Sequence, residues 1–124
     1  VALSFPAPAA KSGAAFQRFI PRNEMDIAVV NAAANVTLSA DGQTFQSARI
    51  AIGAVAPTPL YVEAAGAALA GQPVNEATIA KACAAAQAAA VPITDMRGTI
   101  EQRKHLVGVL VKRTINTAVA RARG

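Results

Sequence analysis

The spacing of apolar and polar positions changes once along this chain, from a period of two in the first half to a helical period in the second. The strictest alternation covers Ile27 to Leu38, where valine and threonine favour a strand over a helix. Asp41-Gly42 is a turn signal, and a second alternating run extends from Ser47 to Ile52, so we predict a hairpin. The core side of its first strand carries Ala28, Val30, Ala32, Ala34, Val36 and Leu38.

Two shorter segments before the hairpin also have the composition of extended chain. Val1 to Phe5 is strand-like, and Ala14 to Phe19 is a second extended segment that Pro21 ends. Between them lies a loop rich in proline, serine and glycine. Because the chain starts inside a predicted strand, we expect the natural protein to continue upstream of Val1.

Helical spacing begins after Tyr61. Val62 to Ala70 predicts a short helix that Gly71 stops, and Asn75 predicts the N-cap of a second helix. The buried side of this second helix is predicted to carry Ile79, Cys83 and either Ala86 or Gln87. Pro92 then breaks the pattern.

The third helix has the clearest start signal. Thr99 and Gln102 form a capping-box pattern, in which the hydroxyl accepts a backbone N–H and the amide reaches back. Behind it runs an apolar stripe of Leu106, Val107, Leu110 and Val111. Strands followed by helices, without alternation, predict an α+β domain, and 124 residues predict a single domain over positions 1–124.

Composition excludes several classes of protein. With no tryptophan and one tyrosine, the chain does not offer an aromatic platform for sugars or nucleobases. Cys83 is the only cysteine, so it cannot form an internal disulfide, and it fits a reducing compartment as a small hydrophobic residue. No apolar run approaches the roughly 20 residues of a membrane span, and no signal peptide is evident. We therefore expect a cytoplasmic protein without a membrane span.

The formal net charge of +5 comes from the end of the chain. The late cations are Arg97, Arg103, Lys104, Lys112, Arg113, Arg121 and Arg123. One interpretation is a solvated helix face with cations near the negative end of the helix dipole. The other is a basic surface for nucleic acid, acidic lipid or an acidic protein.

Few residues are arranged for catalysis. His105 is the only histidine and lacks the partner that base catalysis requires, so we interpret it as a helix-face residue. Neither of the Gly-rich phosphate-binding motifs occurs. Arg18 and Arg22, on either side of Pro21, are the best anion-binding candidates, unless they pair with Glu24 and Asp26.

Three stretches together resemble one known family. They are FQRFIPRNEMDIAVVNAAA (Phe16 to Ala34), ARIAIGAVAPTPL (Ala48 to Leu60) and PITDMRGTIEQRKHLVGVLVKR (Pro92 to Arg113). In this order and spacing they are similar to the C-terminal domain of the FAD-binding medium subunit of molybdenum hydroxylases, of the aerobic carbon monoxide dehydrogenase and xanthine dehydrogenase type. The resemblance implies a small antiparallel sheet of three to four strands packed against three helices.

The resemblance also implies a role within an oxidoreductase complex. In the family, FAD passes electrons to an external acceptor from 2Fe-2S clusters and a molybdenum cofactor, which partner subunits hold. An upstream FAD-binding domain of the same subunit makes most flavin contacts. This chain would flank the flavin site, support subunit assembly, and be inactive and colourless alone. A surface meant for the upstream domain would also let copies of the chain self-associate.

Three residues carry over from the family pattern as cofactor-binding candidates. Leu3 corresponds to a strand residue that lines the flavin site, and Arg18 falls where the family often has a lysine near FAD. Arg22 matches a family arginine at the pocket edge. The resemblance implies no catalytic residue and no metal ligand on this chain. The alternative is a basic module that binds nucleic acid or an acidic protein through its C-terminal helix.

Overall fold

A computed structural model describes residues 1–22 and 27–124. Over these residues the chain forms four strands and then three helices. The strands are β1 (Ser12–Phe19), β2 (Val30–Leu38), β3 (Phe45–Gly53) and β4 (Leu60–Tyr61). The helices are α1 (Glu63–Leu69), α2 (Glu76–Ala89) and α3 (Ile100–Arg123). This confirms the predicted α+β class, its antiparallel sheet and its three helices.

The sheet is an antiparallel meander in the order β1-β2-β3-β4. The predicted hairpin joins β2 to β3, with Ala34 opposite Ile50 and Leu38 opposite Phe45. In its turn, Gly42 has a φ of 73° and Asp41 accepts the N–H of Gln43 at 3.0 Å. Together with the Ser39 hydroxyl, this N–H lowers the pKa of Asp41.

The helices cover one face of the sheet only. Helix α3 packs on β1 and β2, α1 packs on β3, and α2 packs on both other helices. The inner face of the sheet carries the large buried side chains of β2 and β3, including Val36, Leu38, Ile50 and Ile52. From α3 the predicted stripe supplies Val107, Leu110 and Val111, and it continues to Ile115 and Ala118.

Small residues let the helices approach the sheet closely. A Cβ placed on Gly13 of β1 would stand 2.2 Å from the carbonyl oxygen of Ala118. A Cβ on Gly66, inside α1, would stand 2.5 Å from the carbonyl oxygen of Ala48. Gly66 is therefore a packing residue within the helix, because α1 lies directly on β3.

Both predicted N-caps are present. The side chain of Asn75 accepts the N–H of Thr78 at 2.9 Å, and the Thr99 hydroxyl accepts the N–H of Gln102 at 3.0 Å. Each hydrogen bond satisfies a backbone donor that the first turn of a helix leaves without an intrahelical partner. The return contact from the Gln102 amide stays a prediction.

The predictions for the two ends of the sheet need correction. Val1 to Phe5 is not a strand: residues 1–9 belong to no secondary structure element and are exposed. Strand formation requires a paired neighbour, and none of the described strands lies beside this proline-containing segment. Conversely, β4 was missed, because a two-residue strand has no period to detect.

Candidate functional site

The outer face of the sheet is not covered by any element of the described residues. Its side chains form cross-strand rows, since the register aligns alternate residues of the strands. The central row consists of Phe16, Ala33, Ala51 and Tyr61. Phe16 on β1 and Tyr61 on β4 stand at the two ends of this row, on the edge strands, and are 61% and 58% exposed.

This arrangement makes a trough, with an aromatic residue at each end and alanine on its floor. The trough is open to solvent, has a volume of about 600 Å³, and extends over the neighbouring row of Ala14, Asn35 and Arg49. Its polar lining residues are Asn35, Arg49 and Arg121. The trough therefore combines a flat apolar floor with cationic side chains along one edge, and we define it as the outer trough.

The predicted site residues have different positions relative to this trough. Arg18 lies on the outer face, opposite Asn31 and in the row next to Phe16, and its side chain is exposed. Arg22 is exposed in the segment after β1, where it has an interaction partner. Leu3 is 86% exposed in the N-terminal segment and is not among the residues that line the trough.

The structure therefore brings one of the three candidates to the outer face. The roles of all three in cofactor binding stay predictions. The alternative pairing of Arg18 and Arg22 with Glu24 and Asp26 lies outside the described residues. The register places Phe16, Ala33 and Ala51 on the side of their strands away from the core, and the alternation in the sequence gives the side of each strand but not whether that side is covered.

A second polar cluster lies at one end of the sheet, where Arg103 of α3 is 4% exposed. Its Nη1 donates to the carbonyl oxygens of Val29 at 3.1 Å and Ala54 at 3.4 Å, and its Nη2 donates to Asp95 Oδ1 at 2.6 Å. The backbone N–H of Arg97 and the Arg103 guanidinium lower the pKa of Asp95. Arg103 therefore joins three loops to the helix.

The interpretation of the late cations as a solvated face is wrong for Arg103, whereas Lys112, Arg113, Arg121 and Arg123 are exposed. Other members of the set also bind the chain itself. Arg121 Nη1 donates to the carbonyl oxygen of Ala14 at 2.7 Å. Arg123 donates to the carbonyl oxygen of Gly42 through Nε at 3.1 Å and Nη2 at 2.8 Å. The basic stretch is thus in part a set of internal anchors, which weakens the case for a nucleic-acid surface.

The other chemistry candidates are structural. His105 is exposed on α3, as predicted for a helix-face residue. Cys83 is half-buried on α2, and burial raises the pKa of its thiol, which disfavours the reactive thiolate. Within residues 1–22 and 27–124, no three His, Cys, Asp or Glu side chains come together as a metal site. None of the described helices has both the length and the hydropathy to cross a bilayer.

Comparison with known proteins gives a consistent picture. The family model of the CO dehydrogenase flavoprotein C-terminal domain matches residues 15–118. The carbon monoxide dehydrogenase medium chain of Afipia carboxidovorans is 36% identical over 122 residues, which are 98% of this chain and 41% of that protein. The putative xanthine dehydrogenase FAD-binding subunit of Escherichia coli is 32% identical over 125 residues, which are 100% of this chain and 42% of that protein.

Solved structures agree with these sequence relatives. A chain of carbon monoxide dehydrogenase from Hydrogenophaga pseudoflava superposes with a TM-score of 0.87 at 37% identity, over 94% of this chain and 39% of that one. Our chain therefore spans about two-fifths of the length of the proteins it matches.

Proposed function

The chain belongs to the carbon monoxide dehydrogenase flavoprotein C-terminal domain family, and from this premise we propose that it is the C-terminal domain of the FAD-binding subunit of a molybdenum hydroxylase. Residues 1–124 are proposed to act as one domain that flanks the flavin site and supports subunit assembly. Its partners are the upstream FAD-binding domain of the same subunit and the iron–sulfur and molybdenum subunits of the complex.

The observation that carries this proposal is the uncovered outer face of the sheet. An exposed apolar patch of this kind is typical of a surface that packs against another protein or a ligand. The outer trough ends in Phe16 and Tyr61, and Arg18 is exposed in the adjoining row. We assign this face to the contact with the flavin-carrying part of the subunit.

The residues present fit FAD as one wall of its site and not as a complete site. Arg18 provides a guanidinium for an anionic group, and Phe16 provides an apolar edge that keeps water away. No Gly-rich loop that could cradle a pyrophosphate occurs in the sequence. Leu3 and Arg22 are proposed as a second apolar contact and a pocket-edge residue.

When FAD is bound, it supplies the transfer of electrons from 2Fe-2S clusters on a partner subunit to an external acceptor. The residues of this chain serve that chemistry by covering the flavin and placing positive charge beside it. In this proposal the molybdenum cofactor is also held by a partner subunit. The chain contributes to an oxidoreductase but does not turn over alone.

A chimera tests the proposal. This chain replaces the matched region of the Afipia carboxidovorans medium chain, and bound FAD per polypeptide is measured by absorbance after purification. We expect the chimera to retain FAD and the isolated 124-residue chain to purify colourless. Stoichiometric flavin on the isolated chain, or a folded chimera that binds none, would contradict the proposal.

A pair of matched variants locates the contact. Within the chimera, Arg18→Ala is expected to weaken FAD retention several-fold, because it removes the outer-face cation in the row next to Phe16 that we assign to the flavin contact. Arg113→Ala removes an exposed arginine of α3, away from this face, and is expected to leave FAD retention unchanged. Equal FAD retention in the two variants would show that Arg18 does not contact FAD. The proposal that the chain is the C-terminal domain of the subunit would still stand.

A further inference from the structure

One edge of the sheet carries a row of backbone groups that no described strand pairs. Strand β1 is outermost in the sheet order. Its odd-numbered residues bond to β2, as shown by the N–H of Leu38, which donates to the carbonyl oxygen of Lys11 at 2.8 Å. In an antiparallel ladder, the residues between the bonded ones point their N–H and C=O groups away from the partner strand. The groups of Ala14, Phe16 and Arg18 therefore face the open edge.

This edge has few of the features that protect natural edge strands. Strand β1 is eight residues long, with the sequence SGAAFQRF, and contains no proline. Arg18 is its only charged residue, and Phe16 is 61% exposed beside the edge. Long, flat, weakly charged edges are ready templates for strand addition by another chain.

Arg121 occupies the middle of this edge. From the last turns of α3 it donates Nη1 to the carbonyl oxygen of Ala14 at 2.7 Å. The same side chain lines the outer trough. An added strand would use the Ala14 carbonyl as one of its acceptors, so the guanidinium takes the place of that strand's donor and leaves a charge on the edge.

We propose that Arg121 prevents β1 from pairing with the β1 edge of a second copy of this chain. The edge is self-complementary: with a two-fold axis at Phe16, the N–H of Arg18 in one copy would donate to the carbonyl oxygen of Ala14 in the other. The two exposed Phe16 side chains would then become neighbours on one continuous outer face. Arg121 blocks this arrangement because it already holds the Ala14 carbonyl. The inference is independent of the proposed function.

The test compares two arginines at the same end of α3. Arg121→Met removes one positive charge and the hydrogen bond to the Ala14 carbonyl. Arg123→Met also removes one positive charge, but the hydrogen bond that it loses is the one to the Gly42 carbonyl. Molar mass is measured by size-exclusion chromatography with light scattering over a range of concentrations. We expect Arg121→Met to dimerise at least about tenfold more tightly than the starting chain or Arg123→Met. An unchanged mass for folded Arg121→Met would overturn the proposal.

A proline identifies the surface that pairs. The N–H of Ala14 points to the open edge, so Ala14→Pro removes an edge donor without removing a bond to β2. In the Arg121→Met background, Ala14→Pro is expected to restore the mass of the starting chain. A dimer that survives Ala14→Pro would place the contact elsewhere and overturn the proposal.

A peptide-binding measurement adds one arm, on the starting chain, whose outcome does not depend on the folding of a variant. The probe is a fluorescein-labelled peptide of sequence SGAAFQRF, matching β1. We expect no saturable binding to the starting chain and at least about tenfold tighter binding to Arg121→Met, with hydrogen exchange slowed at Phe16 and Arg18. Saturable binding to the starting chain, with those two amides protected, would show that Arg121 is no barrier and would overturn the proposal.

Discussion

The inner and outer faces of the sheet use the same four strands but differ in side-chain size, exposure and neighbours. Alternate residues separate them: Ile50 is fully buried under the helices, whereas Ala51 faces the outer trough. The inner face carries branched aliphatic side chains, and the central outer row carries two alanines between two exposed aromatics. The inner face is packed against the helices of this chain, whereas no element of the described residues packs on the outer face.

The difference assigns separate roles to the two faces. Burial of aliphatic side chains on the inner face supplies most of the folding free energy, since each fully buried side chain contributes about 1.5–3 kcal/mol. The outer face has no covering layer among the described residues, so it contributes less to folding, and we have proposed it as the contact with the flavin-carrying part of the subunit. Stability and flavin retention should therefore respond to different substitutions.

The largest expected effect comes from truncation on the inner face. Ile50→Ala leaves a cavity at a fully buried position, so we expect a loss of about 2–5 kcal/mol in the free energy of unfolding. Phe16→Ala on the outer face removes a larger side chain but should change the same quantity by about 0.5 kcal/mol. Urea denaturation of the isolated chain measures both. Similar losses in the two variants would show that the outer face is also packed.

The next effect concerns the polar cluster around Arg103, which lies at one end of the sheet beside the buried inner face. Arg103→Met should cost roughly 3 kcal/mol, because it leaves Asp95 and two backbone carbonyls without their buried donor. The loss is limited because Arg103 Nε already lacks a hydrogen-bond partner among the described residues. Arg113→Met is the matched control on the exposed side of α3, with little change expected by the same urea measurement.

The cluster around Arg103 also shows which parts of the fold could be predicted from the sequence and which could not. The elements with a full period were predictable: the β2–β3 hairpin, the capped helices and the α3 stripe all occur as expected. The burial of Arg103 was not, because cationic residues on helices are usually solvated. A signal was nevertheless available. Arg103 precedes Val107 by four residues and Leu110 by seven, so it belongs to the buried stripe.

The candidate site was less predictable than the fold for a different physical reason. An uncovered face is defined by what does not pack on it, and a hydrophobic pattern cannot distinguish an exposed alanine row from a buried one. The resemblance supplied Arg18, and the register then placed it beside Phe16. Leu3 could not be positioned because a single extended segment has no partner that fixes its orientation.

A smaller effect tests how closely the inner face meets its helix. Gly13→Ala places a Cβ against the backbone of α3, 2.2 Å from the Ala118 oxygen and 2.6 Å from the Ala122 nitrogen. Since the backbone of α3 must shift, we expect a loss of about 1–3 kcal/mol in the free energy of unfolding. Ala14→Gly changes the adjacent outer position and should cost less than about 1 kcal/mol. Equal effects in the two variants would contradict close contact at Gly13.

The smallest expected effect is a dependence of the free energy of unfolding on acid pH, which comes from Asp95 in the cluster around Arg103. The N–H of Arg97 and the guanidinium of Arg103 hold the pKa of Asp95 below its ordinary value of 3.8 in the folded chain. The unfolded chain therefore binds the proton more readily, so stability falls as the pH drops through 3.8 and the folded value. Above 3.8 the stabilisation by the ionised carboxylate is fully present.

Asp95→Asn removes this titration and should flatten the loss of stability between about pH 5 and about pH 2. Urea denaturation at a series of pH values gives the slope for each chain. Asp41, in the β2–β3 turn, also has a lowered pKa, so Asp41→Asn should flatten the curve independently and the two changes should add. A slope for Asp95→Asn equal to that of the starting chain would mean that the Asp95–Arg103 contact does not favour the ionised carboxylate. The cluster would then be stabilised only by the hydrogen bonds that Arg103 donates to the carbonyl oxygens of Val29 and Ala54.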